Sequence, residues 1–316
     1  MQLTEAKVSG LRYYSTSLYF IKATARCQVS RFKLVYNQQL KLYIPCLLAM
    51  YKYDGLVVYQ NHDDEGVLEV VEEKGIRSLH FGSSSRQSSI SLDDPESLQL
   101  PYTRAMTSWL LFKETMDDAL ILGLGGGSLV RHLLHHFPEC RLKAVEYRAS
   151  VVKIARSHFG LPLDSRLKVV VDDAGSYVRQ QAQTGAGQYG LILVDAFDSE
   201  GMAESIAAIA FFDACKILLK QDGILVINLW GSEAKLYGSC LHWLEQVFSG
   251  KVLVLPVRNR GNMITVAFNQ DIPQYGMKAL KVRAIELEQQ YQIEFPKFLK
   301  DFNKHNAYSI HTVISK

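Results

Sequence analysis

From residue 117 onward the chain alternates apolar, β-branched runs with helical periods. ALILGL, RLKAVEY, LKVVV, YGLILVDAF and GILVINLW are strand candidates, and SLVRHLLHHF, ASVVKIARSHF and ESIAAIAFFDACKILL read as helices between them. Runs that are apolar at nearly every position suit strands buried on both faces, so the rhythm predicts a mostly parallel sheet covered by helices, an α/β fold. KVLVLPV and NMITVAFN, separated by RNRG, read as a β-hairpin that closes the sheet.

Upstream the pattern differs. Between residues 55 and 83 the short runs LVVY, VLEVV and SLHF are separated by the turn-rich clusters NHDDEG and EEKG, which predicts a small antiparallel sheet. SSSRQSSISLDDPESLQLPY (83–102) reads as a polar, solvated loop, and TRAMTSWLLF (103–112) returns to a helical period. Four segments follow: 1–49, an N-terminal extension with no sustained period; 50–116, a small β-rich domain with a connecting helix; 117–270, a Rossmann-like nucleoside-binding domain; and 271–316, a tail whose GMKALKVRAIELEQQY is helical. One reading of the extension takes Met50 as the native start.

The glycines of ILGLGGGSLVRHLLHHF, Gly123, Gly125, Gly126 and Gly127, join the first strand to the first helix and permit close approach of a ligand to backbone N–H groups. A nucleotide site follows, but its ligand does not: the dinucleotide pattern GxGxxG would put glycine or alanine where Ser128 stands, and the pattern alone is weak. Acids at the next strand ends narrow the choice. Glu146 ends the second strand, where a carboxylate can accept both hydroxyls of a ribose, in NAD or in an S-adenosyl ligand; the plainer alternative pairs it with Arg148 or Arg141. Asp173 follows the third strand within reach of an adenine amine, with Asp172 expected as a helix cap or a solvated residue. The fourth strand ends in VDAFDSEGM, so Asp195 and Asp198 can hold a cationic amine and accept its proton; otherwise Asp195 is a loop acceptor and Asp198 a helix cap. Trp230, ending the fifth strand, walls the acceptor pocket or fills the core.

Other classes of function find less support. Thirty-five Lys and Arg against 32 Asp and Glu leave a net charge of +3, too even for a nucleic-acid or anionic-membrane surface. Five cysteines without CxxC spacing argue against a disulfide framework and for a reducing cytoplasm, and no apolar run reaches the ~18 residues of a membrane span. His132, His135 and His136 share one helix, but no further ligands accompany them, so packing or surface roles are expected and no metal.

The series GLGGGS, VEYR, VDDA and VDAFDSEG, with FGSSSRQSSISLDDP and PYTR before it, resembles the spermidine synthase (polyamine aminopropyltransferase) family, particularly its divergent bacterial members. The resemblance covers about residues 55–270. It implies a methyltransferase-type Rossmann sheet preceded by a small antiparallel β unit, and a cytoplasmic transferase of polyamine biosynthesis. It further implies that Gly125, Gly127 and Glu146 hold the donor, decarboxylated S-adenosylmethionine or S-adenosylmethionine itself, that Asp173 reaches the adenine and that Gln87 lies near the nucleoside. Asp195 then assists deprotonation of the attacking amine, and Tyr102, Asp198 and Trp230 line the acceptor pocket. No metal is implied, and a homodimer is expected.

Three departures from the family pattern bear on specificity. Ser128 stands where the family's GGGDG turn carries the aspartate that binds the aminopropyl ammonium. Tyr102-Thr103-Arg104 replaces YHE, losing an acid and adding a cation that would repel a diamine. Asp195-Ala196-Phe197-Asp198-Ser199 replaces DSSDP and loses the proline. These changes leave methyl transfer and a catalytically silent nucleoside-binding protein as alternatives. NAD-dependent oxidation is disfavoured, because Ser128 breaks its fingerprint.

Overall fold

The computed structural model describes residues 51–196, 203–258, 261–269 and 275–315, and the backbone of two short strands before them. The chain divides into two compact units, Met1–Ala49 and Met50–Lys316. Within the first, β1 (Ala6–Val8) pairs antiparallel with β2 (Leu11–Tyr13).

The second unit opens with a five-stranded antiparallel meander: β3 (Tyr51–Lys52), β4 (Gly55–Asp63), β5 (Gly66–Glu73), β6 (Ile76–His80) and β7 (Arg86–Ser91). The turns fall at the polar clusters that separate the apolar runs. β7 corrects the loop reading of the serine-rich stretch. Ser88, Ser89 and Ile90 are buried: Ile90 joins the apolar cluster against the helix Ala149–His158, and Ser88 Oγ lies 3.0 Å from Ser128 Oγ at the start of the helix after the glycine turn. A polar composition therefore concealed a strand that packs.

α1 (Pro101–Met106) and a following 3-10 turn, Thr107–Leu111, lead into the large sheet. Its elements run β8 (Asp118–Leu122), α2 (Ser128–His136), β9 (Arg141–Glu146), α3 (Ala149–His158), β10 (Leu167–Val171), α4 (Ala174–Thr184), β11 (Tyr189–Val194), α5 (Ile209–Leu218), β12 (Leu219–Trp230), α6 (Ala234–Val247), β13 (Val252–Pro256) and β14 (Asn262–Phe268). The order is β10-β9-β8-β11-β12-β14-β13, parallel through β12, with β14 antiparallel between β12 and β13. The C-terminal hairpin thus closes the sheet as expected, with its second strand innermost.

One face of the sheet packs on α1, α2 and two C-terminal helices, α7 (Met277–Tyr291) and α8 (Phe295–His305), around Trp109, Phe112, Phe268 and Phe302. The other packs on α4, α5 and α6 around Phe211, Phe212, Leu225 and Phe248. β15 (Tyr275–Gly276) and β16 (Ile314–Ser315) pair to fasten the tail. The meander rests on α3 through Leu68, Val70, Leu79, Val151, Ile154 and Phe159, and Arg148 pins it from the sheet side, pairing with Asp63 at 2.5 Å. Among the described residues no helix is long and apolar enough to cross a membrane.

Candidate active site

The carboxyl ends of β8, β9, β11 and β12 and the start of α4 open onto one cavity of about 1350 Å³, closed on the other side by residues 83–88 of the small sheet and 99–103 leading into α1. That is more than the ~300–1,000 Å³ usual for a single small ligand, and leaves room for a nucleoside and a second reactant. Among the described residues six carboxylates line it, Glu65, Glu146, Asp173, Asp195, Glu204 and Glu233, against the guanidinium groups of Arg86 and Arg148. Since Arg148 is engaged by Asp63, the balance favours cationic ligands.

The glycine turn brings β8 against β11. A Cβ on Gly123, whose φ is +94°, would collide with the Asp195 carbonyl, so this residue sets how closely the turn approaches the acid-bearing strand end. Gly123, Leu124, Gly125 and Ser128 line the cavity. Gly127 does not: at φ +79° it precedes α2 and packs where a Cβ would lie 2.7 Å from Leu161. Ser128 is buried, with its hydroxyl 3.0 Å from Ser88 Oγ and 3.1 Å from the Ser89 carbonyl, which it bonds. Its structural task is to join α2 to β7.

Glu146 pairs with neither arginine suggested as its partner. Arg148 reaches Asp63 and Arg141 reaches Asp118, while Glu146 accepts backbone N–H bonds from Leu124 (2.9 Å), Gly125 (3.3 Å) and Arg148 (3.0 Å). Only the last falls on Oε1, so that oxygen retains acceptor capacity. Burial raises the proton affinity of this carboxyl, and the three N–H groups oppose the shift.

Asp173, and not Asp172, caps α4: Oδ1 accepts from Ser176 N at 2.8 Å, and Oδ2 accepts from the Ser205 hydroxyl at 2.6 Å. Asp172 instead accepts the N–H of Asp173 itself. One residue therefore serves both as cap and as cavity wall. Burial would raise its pKa, but the Ser205 and Ser176 donors outweigh it, and the net shift is downward.

At the other end Asp195 lines the cavity together with Tyr102, Asn228, Trp230 and Asn262. Its carboxyl is packed about by protein and pushed up to about 6, first by burial and further by the charge of Glu146; hydrogen bonds from Asn228 and Tyr102 oppose this. Asn228 Nδ2 donates to Asp195 Oδ1 at 2.9 Å. The Tyr102 hydroxyl reaches both this carboxylate and the Gln87 carbonyl (3.1 Å), and with one hydrogen it serves one at a time. Trp230, 38% exposed, forms part of the wall beside Gly261. Asp198 lies outside the described residues.

Arg104 does not line the cavity, which overturns its reading as a cation facing a diamine. Its guanidinium turns outward to Glu294 (Nε–Oε2 3.1 Å) and to the carbonyls of Leu98 and Gln99. The sequence reading also missed Asn228 and Asn262. Asn228 leaves a visible trace, a lone amide inside the apolar run GILVINLW, but its partner lies on another strand.

Of the histidines of α2, His132 is packed inside, His136 is partly buried and His135 is exposed. His132 is buried, with ring contacts to His136 (4.4 Å) and Tyr291 (6.0 Å), and burial lowers its pKa to about 4. Among the described residues no three His, Cys, Asp or Glu side chains are gathered for a metal ion.

Residues 100–251 match the spermine/spermidine synthase domain family. A polyamine aminopropyltransferase of Chromobacterium violaceum is 37% identical over 244 residues, 76% of this chain and 92% of that protein. Two solved structures share the fold. Human methyltransferase-like protein 13 in complex with SAH is 26% identical and covers 61% of this chain and 93% of its own, with a TM-score of 0.57. A spermidine synthase in complex with the transition-state analogue AdoDATO is 16% identical and covers 79% and 87%, with a TM-score of 0.60. Identity sustained over three quarters of the chain, on a methyltransferase-type sheet whose strand ends carry Glu146, Asp173 and Asp195, means that this protein belongs to the spermidine synthase family, as an aminopropyltransferase-like enzyme of polyamine biosynthesis.

Proposed function

We propose that the enzyme transfers the aminopropyl group of decarboxylated S-adenosylmethionine to a small-molecule amine, with Asp195 as the base. The observation that carries this reading is a carboxylate held at the cavity wall by neutral donors, with no cation paired to it among the described residues, and with its proton affinity raised to about 6. A cationic partner would hold such a group ionised and make it a poor base. At pH 7 Asp195 is mostly ionised, yet it is a better proton acceptor than a solvated aspartate.

In the reaction the amine nitrogen forms a bond to the methylene carbon attached to the sulfonium. The carbon–sulfur bond breaks, its electron pair stays on sulfur, and methylthioadenosine leaves. The lone pair for this attack is freed when Asp195 accepts a proton from the ammonium form of the amine. Glu146 accepts from the ribose, Asp173 accepts from the adenine amine, and Gln87, Gly125 and Ser128 border the nucleoside, with Gly127 shaping the turn. Tyr102, Asp198 and Trp230 bound the amine. Holding the two reactants in line supplies much of the acceleration, and no metal takes part.

Incubating the protein separately with decarboxylated and ordinary S-adenosylmethionine, each with a panel of amines, tests this by mass spectrometry. Methylthioadenosine together with an aminopropylated amine is expected. S-adenosylhomocysteine from the ordinary donor would replace this reading by methyl transfer, and binding without turnover would replace it by a silent nucleoside-binding role.

A further inference from the structure

Asn228 and Asn262 are both buried, at 2% and 8% exposure, although neither belongs to the apolar core. Asn262 Nδ2 donates to Asn228 Oδ1 at 3.0 Å, and Asn228 Nδ2 donates to Asp195 Oδ1 at 2.9 Å. The register of β12 and β14 creates this chain of bonds. Trp230 is opposite Asn262 and Asn228 is opposite Ile264, so the two asparagines are diagonal neighbours across an antiparallel pair.

We infer that Asn228 and Asn262 act as an amide relay that fixes the face presented to Asp195 and keeps this carboxylate a proton acceptor. The inference rests on the proposed role of Asp195 as base. A primary amide has a donor end and an acceptor end, whereas an ionised carboxylate only accepts. Asn228 must therefore turn its NH2 toward Asp195, which leaves its oxygen facing β14, where the NH2 of Asn262 meets it. With Asn228 reversed, oxygen would face carboxylate and NH2 would face NH2, replacing two bonds by two repulsions.

Two other groups among the described residues bear on the same carboxylate. Tyr102 on α1 divides its single hydrogen between Asp195 and the Gln87 carbonyl, and Glu146 on β9 adds a negative charge that favours protonation. The dedicated donor is Asn228, oriented from behind by Asn262. Neither asparagine is assigned contact with the reacting atoms; they are positioning residues.

The test reads Asp195 directly. Protein carrying aspartate labelled with carbon-13 at the carboxyl is titrated by NMR, and the Asp195 signal is the one missing from Asp195→Asn. Asn228→Leu is expected to raise the Asp195 midpoint by about one pH unit, the value of one hydrogen bond to a charged group. Asn262→Leu should raise it by less, in the same direction. The double variant should match Asn228→Leu alone, since Asn262 acts only through Asn228. Turnover should fall about twofold at pH 7 for a one-unit shift and return to the parent rate above pH 8, which a folding defect would not do. Asn262→Ser, shorter and still polar, replaces the leucine variant if that one does not fold. An unmoved midpoint in Asn262→Leu or Asn262→Ser, or shifts that add in the double variant, would overturn the relay. Failure of the underlying reading is separate: it would show as parent turnover in Asp195→Asn, whatever the NMR midpoints do.

Discussion

The two ends of the cavity hold their carboxylates by different means. At the donor end Glu146 is held by three backbone N–H groups and Asp173 by one N–H and a serine hydroxyl, on a turn and a helix start that exist wherever the sheet forms. At the acceptor end Asp195 is held by the side chains of Asn228 and Tyr102, drawn from β12 and α1. Groups fixed by backbone cannot be altered without altering the fold, whereas groups fixed by side chains can be changed one substitution at a time. On the proposed assignment, the donor contacts are thus built into the scaffold, and the acceptor chemistry is built onto it.

The largest expected effect lies at the acceptor end. Asp195→Asn should lower turnover about 10²–10⁴-fold at saturating donor while leaving donor affinity within a few-fold, because asparagine keeps the shape but cannot take the proton. The same change should stabilise the protein. The folded-state pKa of Asp195, about 6, is above the ordinary 3.8, so its favourable contribution is complete below pH 4 and is lost as pH rises through 6. At pH 7–8 the variant should therefore be the more stable, by on the order of 3 kcal/mol, and unfold at a higher temperature, with the gain vanishing near pH 4. Calorimetry at the two pH values and a rate assay check both halves. A rate loss accompanied by a lower melting temperature at pH 7 would mean that Asp195 is structural.

Next in size is the contact that joins the two ends. Gly123→Ala puts a methyl group against the Asp195 carbonyl at a positive φ, and should cost about 2–4 kcal/mol in urea unfolding. Both donor and acceptor affinities should suffer together. Loss of one alone would show that the turn and the β11 end move independently.

At the donor end Glu146→Gln should weaken donor binding about 10–100-fold in calorimetric titration, with the rate at saturating donor nearly kept. The amide can satisfy only part of what the three N–H groups and a ribose require of a carboxylate. An equal loss of rate and affinity would erase the division between the two ends.

The smallest effect is expected outside the cavity. Arg104→Ala breaks a half-exposed ion pair with Glu294 and should cost about 1 kcal/mol or less of stability, without changing the preference for diamines over monoamines. A clear gain in diamine affinity would return Arg104 to the acceptor site.

Much of this was legible in the sequence because it is local. Apolar runs alternating with helical periods announce a covered parallel sheet, and the residue ending a strand in such a sheet is by geometry at its carboxyl edge; Glu146, Asp173 and Asp195 could be placed on that ground. The serine-rich β7 could not, since the partner that Ser88 meets, Ser128 at the start of α2, lies 40 residues downstream. Which of two adjacent aspartates caps α4 was also misread, because either can accept an N–H and the choice depends on where Ser205 lies.

By itself, then, the sequence determined the α/β class, the glycine turn and the series of strand-end acids, all of which follow from periodicity and chain direction. Only the tertiary structure decided what each side chain meets. Arg104 finds Glu294 across 190 residues, and Asn262 finds Asn228 across 34. The physical reason is that a hydrogen bond is satisfied by whatever partner packing brings within about 3 Å, and a composition or a period carries no record of that partner.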